Sequence, residues 1–491
     1  MSKLLYTSEE WTFDTLKKTW AAIKKIAQEK YKLEMYDVHH EIITAENMVE
    51  NYCSHGIPCY YSHWSQGKAF NNTWNAYLQN KTGLAYEIII NSDPCYCYLM
   101  ENNNMDMQTL VLAHASIGHC SFFKNNYMFT NNTEANYILE YCQFADKLIQ
   151  KYEDLYGELA VTRMLDFAHM LGQHSLQPKR RQIKEKPIEV YRKEWQEELD
   201  KKKDELDRIT GSMDVLTKEV NDYIKGMEDK THNIPESDLL YFFEKSVDIP
   251  DWKKEICRIV RVVNNYFYPQ VLTKMMNEGW ASYLEYKIMT DLYEDKLISD
   301  NSYLTMMADH TSVVNSSRRY SPKINPYYLG FHMFKDIERI CKDPNDSDRE
   351  YFPDIAGKKD KWLDIIKNAA YSYHDESFIR QFLSPTLLKD LKISILRDDS
   401  NQEYYECIGS QELEYYEQTK NALAATYNII DSVPQMEIHG WNKEEKKLKI
   451  GYIPYKDRGV TLGDSLKWIE RTCKAVTGVE LIFTGQLRGK E

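Results

Sequence analysis

Apolar side chains recur at helical intervals along most of this chain. Trp11, Leu16, Trp20, Ile23 and Ile26 share one face and predict a helix over 8–33. A second helix is expected over 44–53, with Thr44 as its N-cap. The segment Cys53-Ser-His-Gly-Ile-Pro58 reads as a loop, because glycine and proline interrupt both regular structures. The isoleucine-rich run Tyr86–Asn91 predicts a strand. After a polar break, Asp106 is placed to cap an amphipathic helix that carries His114 and His119 and leaves through SFFKNNYMF. Helical periodicity continues over 134–172, 250–310, 326–342 and 360–390.

Two stretches break this pattern. Residues 178–235 are highly charged with sparse apolar positions, which predicts a solvated helical arm or linker with a break at Gly211. The last ninety or so residues alternate instead. Strands are expected at 404–408, 436–441, 447–455 and 479–484, with helices at 412–427 and 462–476 and an extra strand at 392–397. The order strand–helix–strand–strand–helix–strand is that of a ferredoxin-like βαββαβ unit. The fold class is therefore α+β: a mainly helical N-terminal body with a small sheet, plus that C-terminal unit. The divisions expected are 1–177, 178–235, 236–390 and 391–491.

Composition narrows the function classes. The chain has 491 residues, 43% of them hydrophobic and 28% charged, and its net charge is −13. That charge gives no support for a nucleic-acid partner or a broad anionic surface. No run of about 18 apolar residues suits a membrane span, and the start lacks a signal-peptide core. The ten cysteines include no Cys-x-x-Cys pair, so reduced thiols and a cytoplasmic setting are expected.

The candidate chemistry centres on the two histidines. Residues five apart on a regular α-helix diverge by about 140°, so His114 and His119 could share a metal only across a helix bulge or an ending near Gly118. Ala115 stands where the glutamate of His-Glu-x-x-His would be. A ligand pair, or a buried histidine beside a capping one, are both open readings. Glu278 in Asn-Glu-Gly-Trp-Ala and His310 in Ala-Asp-His-Thr also lie in apolar helical surroundings. His114, Glu278 and His310 are expected to converge, since an unpaired buried polar group costs about 1–3 kcal/mol. His119 is expected to point elsewhere. Glu87, inside an apolar strand, needs a partner or a shifted pKa. Cys120 follows His119 directly and faces another way, so a nucleophilic pair between them is not expected. Phosphate-binding loops and the Gly-x-Ser-x-Gly elbow are absent.

The blocks HWSQGKAF, AYEIIINSDPCYCYLMENN, MQTLVLAHASIGHCSFFKNNYMF, RIVRVVNNYFYPQ, TKMMNEGWASYLEYKIM, INPYYLGFHMFKDIERIC and YFPDIAGKKD resemble the SpoVR family (stage V sporulation protein R). The resemblance runs from about residue 8 to the C-terminus and is poorest over 178–235. It implies a cytoplasmic bacterial protein needed in spore formers for the spore cortex, with relatives in bacteria that form no spores. It also implies, as partners, an AAA-type serine kinase and a von Willebrand-like protein. Carried over residue by residue, it picks out His114, His119, Glu278 and His310, the candidate metal ligands. Glu41, Glu87, His63, Asn91, Asn125 and Asn126 also fall in matching blocks.

More remotely, these blocks resemble a degenerate zincin protease, in which a strand precedes a two-histidine helix and a later helix supplies a glutamate. Two functions follow. One is a regulatory or scaffold protein of sporulation or stress. The other is a metal-dependent hydrolase of a peptide or peptidoglycan-precursor bond, with a zinc-like divalent metal as cofactor and Glu41 or Glu87 as base.

Overall fold

The computed structural model describes residues 4–54, 56–57, 59–79, 81, 86–172, 238–316, 324–397, 406–408, 415–428, 435–453 and 463–484. The charged stretch 178–235, with Gly211, lies outside the described residues. The elements run in order α1 (Phe13–Glu29), β1 (Val38–Ile43), α2 (Ala45–Cys53), α3 (Trp64–Leu78), β2 (Glu87–Ile90), β3 (Cys95–Met100), α4 (Met105–Val111) and a π-helix (Leu112–His119). There follow α5 (Cys120–Asn125), α6 (Tyr127–Asn132), α7 (Ile138–Tyr156), α8 (Glu158–Gly172), α9 (Leu239–Lys245), α10 (Asp251–Leu272), α11 (Lys274–Glu294) and α12 (Asp300–Val313). The chain continues through α13 (Pro326–Lys342), α14 (Asp346–Tyr351), α15 (Trp362–Tyr371), α16 (Asp375–Phe382), α17 (Pro385–Asp390), β4 (Ile395–Arg397) and β5 (Glu406–Ile408). The last elements are α18 (Tyr416–Thr426), β6 (Gln435–Asn442), β7 (Lys447–Ile453), α19 (Gly463–Thr477) and β8 (Glu480–Thr484). The protein is α+β, with helices dominant and small sheets.

Two compact units result: residues 1–162 with 266–430, and residues 163–265 with 431–491. The cuts therefore fall at 162, 265 and 430, whereas the sequence pattern placed divisions at 177, 235 and 390.

In the first unit β1 pairs parallel with β3, and β2 pairs antiparallel with β3, giving the order β1-β3-β2. The helices α1, α4, the π-helix, α11 and α13 share one core with this sheet. α11 lies at the centre of that core. The consecutive residues Gly279, Trp280, Ala281, Ser282, Tyr283, Leu284 and Glu285 are all buried on it, and a helix covered on every side lies inside rather than at the surface. Local signals set the ends. Thr44 caps α2 by accepting from the Asn47 amide. Asn104, not Asp106, caps α4; Asp106 sits in the first turn and accepts from the Tyr6 hydroxyl at 2.8 Å.

α11 has a non-local cap. Asp375, at the start of α16, accepts from the Met275 and Met276 amides at 2.9 Å each. Both amides belong to the first turn, which has no partners within the helix. Asp375→Ala should therefore cost roughly 1–3 kcal/mol, the penalty for stranding buried donors, read as a lower urea midpoint at unchanged slope. A midpoint equal to wild type would count against this account.

In the second unit, β6, β7 and β8 form a three-stranded sheet in that order, with β6-β7 antiparallel and β7-β8 parallel. α19 ends at Gly478, whose φ of +75° suits glycine. The expected succession of strands and helices is present. The short strand 406–408 pairs with 395–397 as a separate two-stranded ribbon and belongs by contact to the first unit.

Candidate metal centre

The two histidines lie at depth in the first unit. Every residue from Leu112 to His119 is buried. The segment is wound as a π-helix with i→i+5 hydrogen bonds, so that the Cys120 amide donates to the Ala115 carbonyl. In that winding residues five apart lie nearly one above the other. His114 and His119 consequently lie along one face, their rings edge to face with centroids 4.8 Å apart. The expectation that His119 points elsewhere assumed α-helical rotation, and the wider turn overturns it.

Packing holds this winding in place. A Cβ at Gly118 would sit 2.5 Å from the Cα of Ala281, so the π-helix and α11 touch backbone to backbone. The freed Gly118 carbonyl accepts from Ser121 Oγ at 3.0 Å, and Ser121 Oγ accepts from Trp280 Nε1 at 3.0 Å. On the far side of α11 a Cβ at Gly279 would meet Gly330 of α13 at 2.4 Å. The glycines of the two sequence blocks thus press Glu278 towards the histidines.

Ligand atoms of His114, His119 and Glu278 all lie within 4.8 Å of one another. Glu278 Oε2 is 3.8 Å from His114 Nε2 and 3.5 Å from His119 Nε2. These separations are too long for good hydrogen bonds. They are close to the roughly 3.3–3.6 Å between ligand atoms held tetrahedrally on one zinc at 2.0–2.2 Å. Glu278 Oε2 is buried with no hydrogen-bond partner.

The outer nitrogens are already engaged. His114 Nδ1 donates to Glu285 Oε2 at 2.6 Å, and His119 Nδ1 donates to Asn277 Oδ1 at 2.9 Å. With Nδ1–H committed outward, each ring presents its Nε2 inward, as histidines on metals do. Glu285 Oε1 also accepts from His310 Nδ1 at 2.8 Å.

Charge follows from this geometry. Burial pulls His114 down, but the facing Glu278 and hydrogen-bonded Glu285 carboxylates outweigh it and raise the imidazole to about 10. Burial lowers His119, with Glu278 pulling the other way. Burial raises the carboxyls of Glu278 and Glu285, yet their imidazole partners win and hold both below the usual range.

The model of the "SpoVR like protein" family matches residues 10–432. The chain belongs to the SpoVR family. A relative from Escherichia coli (strain K12), described as "Uncharacterized protein YcgB", is 40% identical over 468 residues, which is 92% of this chain and 89% of that protein. No solved structure matches the chain.

Within this SpoVR-family fold, the sheet register separates the two candidate bases. Glu87 pairs with Leu99, and Leu99 with Ile42, so these three share one face. Glu41 pairs with Tyr98 and faces the other side. The Glu87 face is the one towards the π-helix, since His40 on the same face hydrogen-bonds Ser116 at 2.8 Å. Burial raises Glu87 to about 7, and it feels the charges of His114, Glu278 and Glu285. Glu41 instead lies 3.6 Å from His39, with its side chain 43% exposed. Strand alternation takes it away from the cluster.

The remaining candidates serve the scaffold. His310 binds Glu285 rather than joining the three ligand groups. His63 caps α3. Asn91 donates to Thr133 at 3.0 Å, and its carbonyl accepts from Tyr266. Asn125 donates to the Glu34 and Ser121 carbonyls. Asn126 caps α6 and donates to Ala370 and Tyr373.

Three groups escaped the sequence reading. Glu285 follows Glu278 by seven residues, two helical turns on one stripe, and that spacing was a usable signal. Asn277 adjoins Glu278. Tyr327, whose ring centroid is 6.3 Å from that of His114 and whose hydroxyl interacts with Glu278, gave no local sign.

Proposed function

We propose that this SpoVR-family chain is a metal-dependent hydrolase of the bacterial cytoplasm, acting on a peptide or peptidoglycan-precursor bond, in spore formers during cortex formation. His114, His119 and Glu278 would hold zinc or a similar divalent ion. The observation that carries the reading is the buried, unpartnered Glu278 Oε2 facing two inward Nε2 atoms. Two histidines and one glutamate are a known zinc donor set that leaves a position open. When bound, such an ion lowers the pKa of a coordinated water towards about 7 and polarises a carbonyl. Glu87, at about 7, is divided between its two forms near neutrality and can take up and return a proton there.

A second reading draws on burial. The side chains of His114, His119 and Glu278 are 7%, 9% and 16% exposed, which suits an ion that shapes a regulatory or scaffold protein acting through an AAA-type kinase and a von Willebrand-like partner. Glu87→Gln separates the two: a hydrolase loses turnover while keeping its ion, and a scaffold keeps both its ion and its partners. Among the described residues no helix is long and apolar enough to cross a membrane.

Metal analysis of untagged protein purified without chelator should find about one divalent ion per chain, as a single three-ligand cluster requires. Uptake has a pH signature. Without an ion His114 keeps its proton up to about pH 10, so binding must expel it and apparent affinity should rise with pH. Stability of the metal-free protein should move the opposite way. A histidine raised from 6.5 to about 10 contributes stability that is complete below 6.5 and fades as pH climbs through 10. Melting curves with and without zinc should therefore separate as pH increases from about 6 to 9. Parallel curves would rule the site out as the place of binding.

A further inference from the structure

Glu285 is a buried acid of the first unit that the proposed chemistry does not use directly. Its side chain is 5% exposed, and it bridges two imidazoles, with Oε2 on His114 Nδ1 at 2.6 Å and Oε1 on His310 Nδ1 at 2.8 Å. A carboxylate only accepts, so both imidazoles donate through Nδ1–H. For His114 this ties Nδ1–H to Glu285 and leaves Nε2, on the Glu278 side, as the nitrogen available to an ion. For His310 it leaves Nε2 buried and without a hydrogen-bond partner.

Helix spacing explains how these residues meet. Glu285 stands two turns beyond Glu278 on α11, and α12 brings His310 against the same stripe. His310 is wedged between aromatic rings, 5.0 Å from Phe331 and 5.8 Å from Tyr286 by ring centroid. Those rings restrict its rotation and leave the Glu285 bond as its one polar contact among the described residues.

We propose that Glu285 and His310 are positioning residues of the metal centre: His310 clamps Glu285, and Glu285 holds His114 as an Nε2 ligand. The inference rests on the metal reading of His114, His119 and Glu278. His310 thus keeps a place in the centre two hydrogen bonds removed from the ligand His114. Outer partners of this kind orient the ring and raise its basicity, and their loss typically weakens metal affinity about 10–100-fold.

Glutamine at 285 keeps the shape but can offer an oxygen to only one of the two imidazoles. The other meets an amide N–H and must turn or change tautomer. If His114 is the one that changes, its Nε2 carries a hydrogen and no longer binds an ion. His310→Leu removes the donor and with it the clamp, and leaves Glu285 free to swing.

The test uses full-length protein with Co²⁺ as a visible probe and zinc competition against a chromophoric chelator. Glu285→Gln should bind zinc about 10–100-fold more weakly and shift the Co²⁺ absorption bands. His310→Leu, whose side chain has no donor, should act in the same direction by a smaller factor. The double variant should match Glu285→Gln alone, because His310 acts through Glu285. Asp291→Asn is the control, since it removes a buried acid of α11 that partners Lys30 and Tyr31; it should lower stability yet leave the Co²⁺ spectrum unchanged.

If wild type binds Co²⁺ and both single variants keep its affinity and spectrum, the positioning role is wrong and the metal centre stands. Additive losses in the double variant would also overturn the clamp. If wild type binds neither Co²⁺ nor zinc, the metal reading falls, and this inference falls with it.

Discussion

His119→Ala should hold zinc at least about a hundredfold more weakly than wild type, above the range that loss of an outer partner brings. The sequence pattern pointed the other way, because α-helical rotation sends position 119 about 140° from position 114. In the π-helix the two rings lie with centroids 4.8 Å apart, and His119 Nε2 is the nearer of the two to Glu278 Oε2, at 3.5 Å. Alanine there removes one of three donors and leaves Glu278 with a single imidazole. The fold should tolerate the change, since Asn277 loses only one hydrogen bond with the ring. His63→Ala is the contrast. It deletes a cap on α3, costs roughly 0.5–2 kcal/mol, and should leave zinc affinity unchanged. Isothermal titration of both proteins decides the matter. Equal zinc binding by wild type and His119→Ala would remove His119 from the centre.

The sequence and the structure agree where the determinants are local. Periodic apolar positions located α1, α2, α7 and α13, and Thr44 marked the start of α2. Turn residues located the β6–β7 hairpin, where Lys446 takes a positive φ of 52°. Agreement ends where distant contacts decide. β1 reads Val-His-His-Glu-Ile-Ile, and its parallel partner β3 lies more than fifty residues on, a pairing that no local pattern encodes. The sequence order makes the strand at 404–408 the first of the ferredoxin-like unit; 406–408 pairs instead with the extra strand 395–397, outside the β6-β7-β8 sheet.

The site divides in the same way. His114, Glu278 and Glu87 were recognisable as polar residues in apolar runs, because burial obliges such groups to find partners. Glu41 enters only through the family resemblance, and the side of the sheet it faces depends on register. The five-residue histidine spacing was itself informative. It is incompatible with one face of an α-helix and compatible with one face of a π-helix. Which winding the chain adopts depends on a contact between Gly118 and Ala281, over 160 residues apart.

That contact carries the second large effect. Gly118→Ala should destabilise the protein by about 1–3 kcal/mol, the usual range for overpacking a close-packed core, and should loosen zinc as well. The added Cβ would lie 2.5 Å from Ala281 Cα and 2.7 Å from its Cβ, a clash with backbone that no side-chain rotation relieves. The π-helix and α11 must then separate by several tenths of an ångström, or the π-helix must rewind. Either response moves His119, one residue on, relative to Glu278, three residues before Ala281. Gly67→Ala on α3 is the matched control, because a Cβ there meets nothing within 4 Å. It should gain roughly 0.5–1 kcal/mol from helix propensity alone and leave zinc binding untouched. If backbone contact at Gly118 shapes the centre, urea denaturation of the pair gives opposite signs and zinc titration shows a loss for Gly118→Ala alone. A Gly118→Ala protein as stable and as metal-avid as wild type would mean that the two helices do not approach this closely, and that the convergence of His119 and Glu278 has another cause.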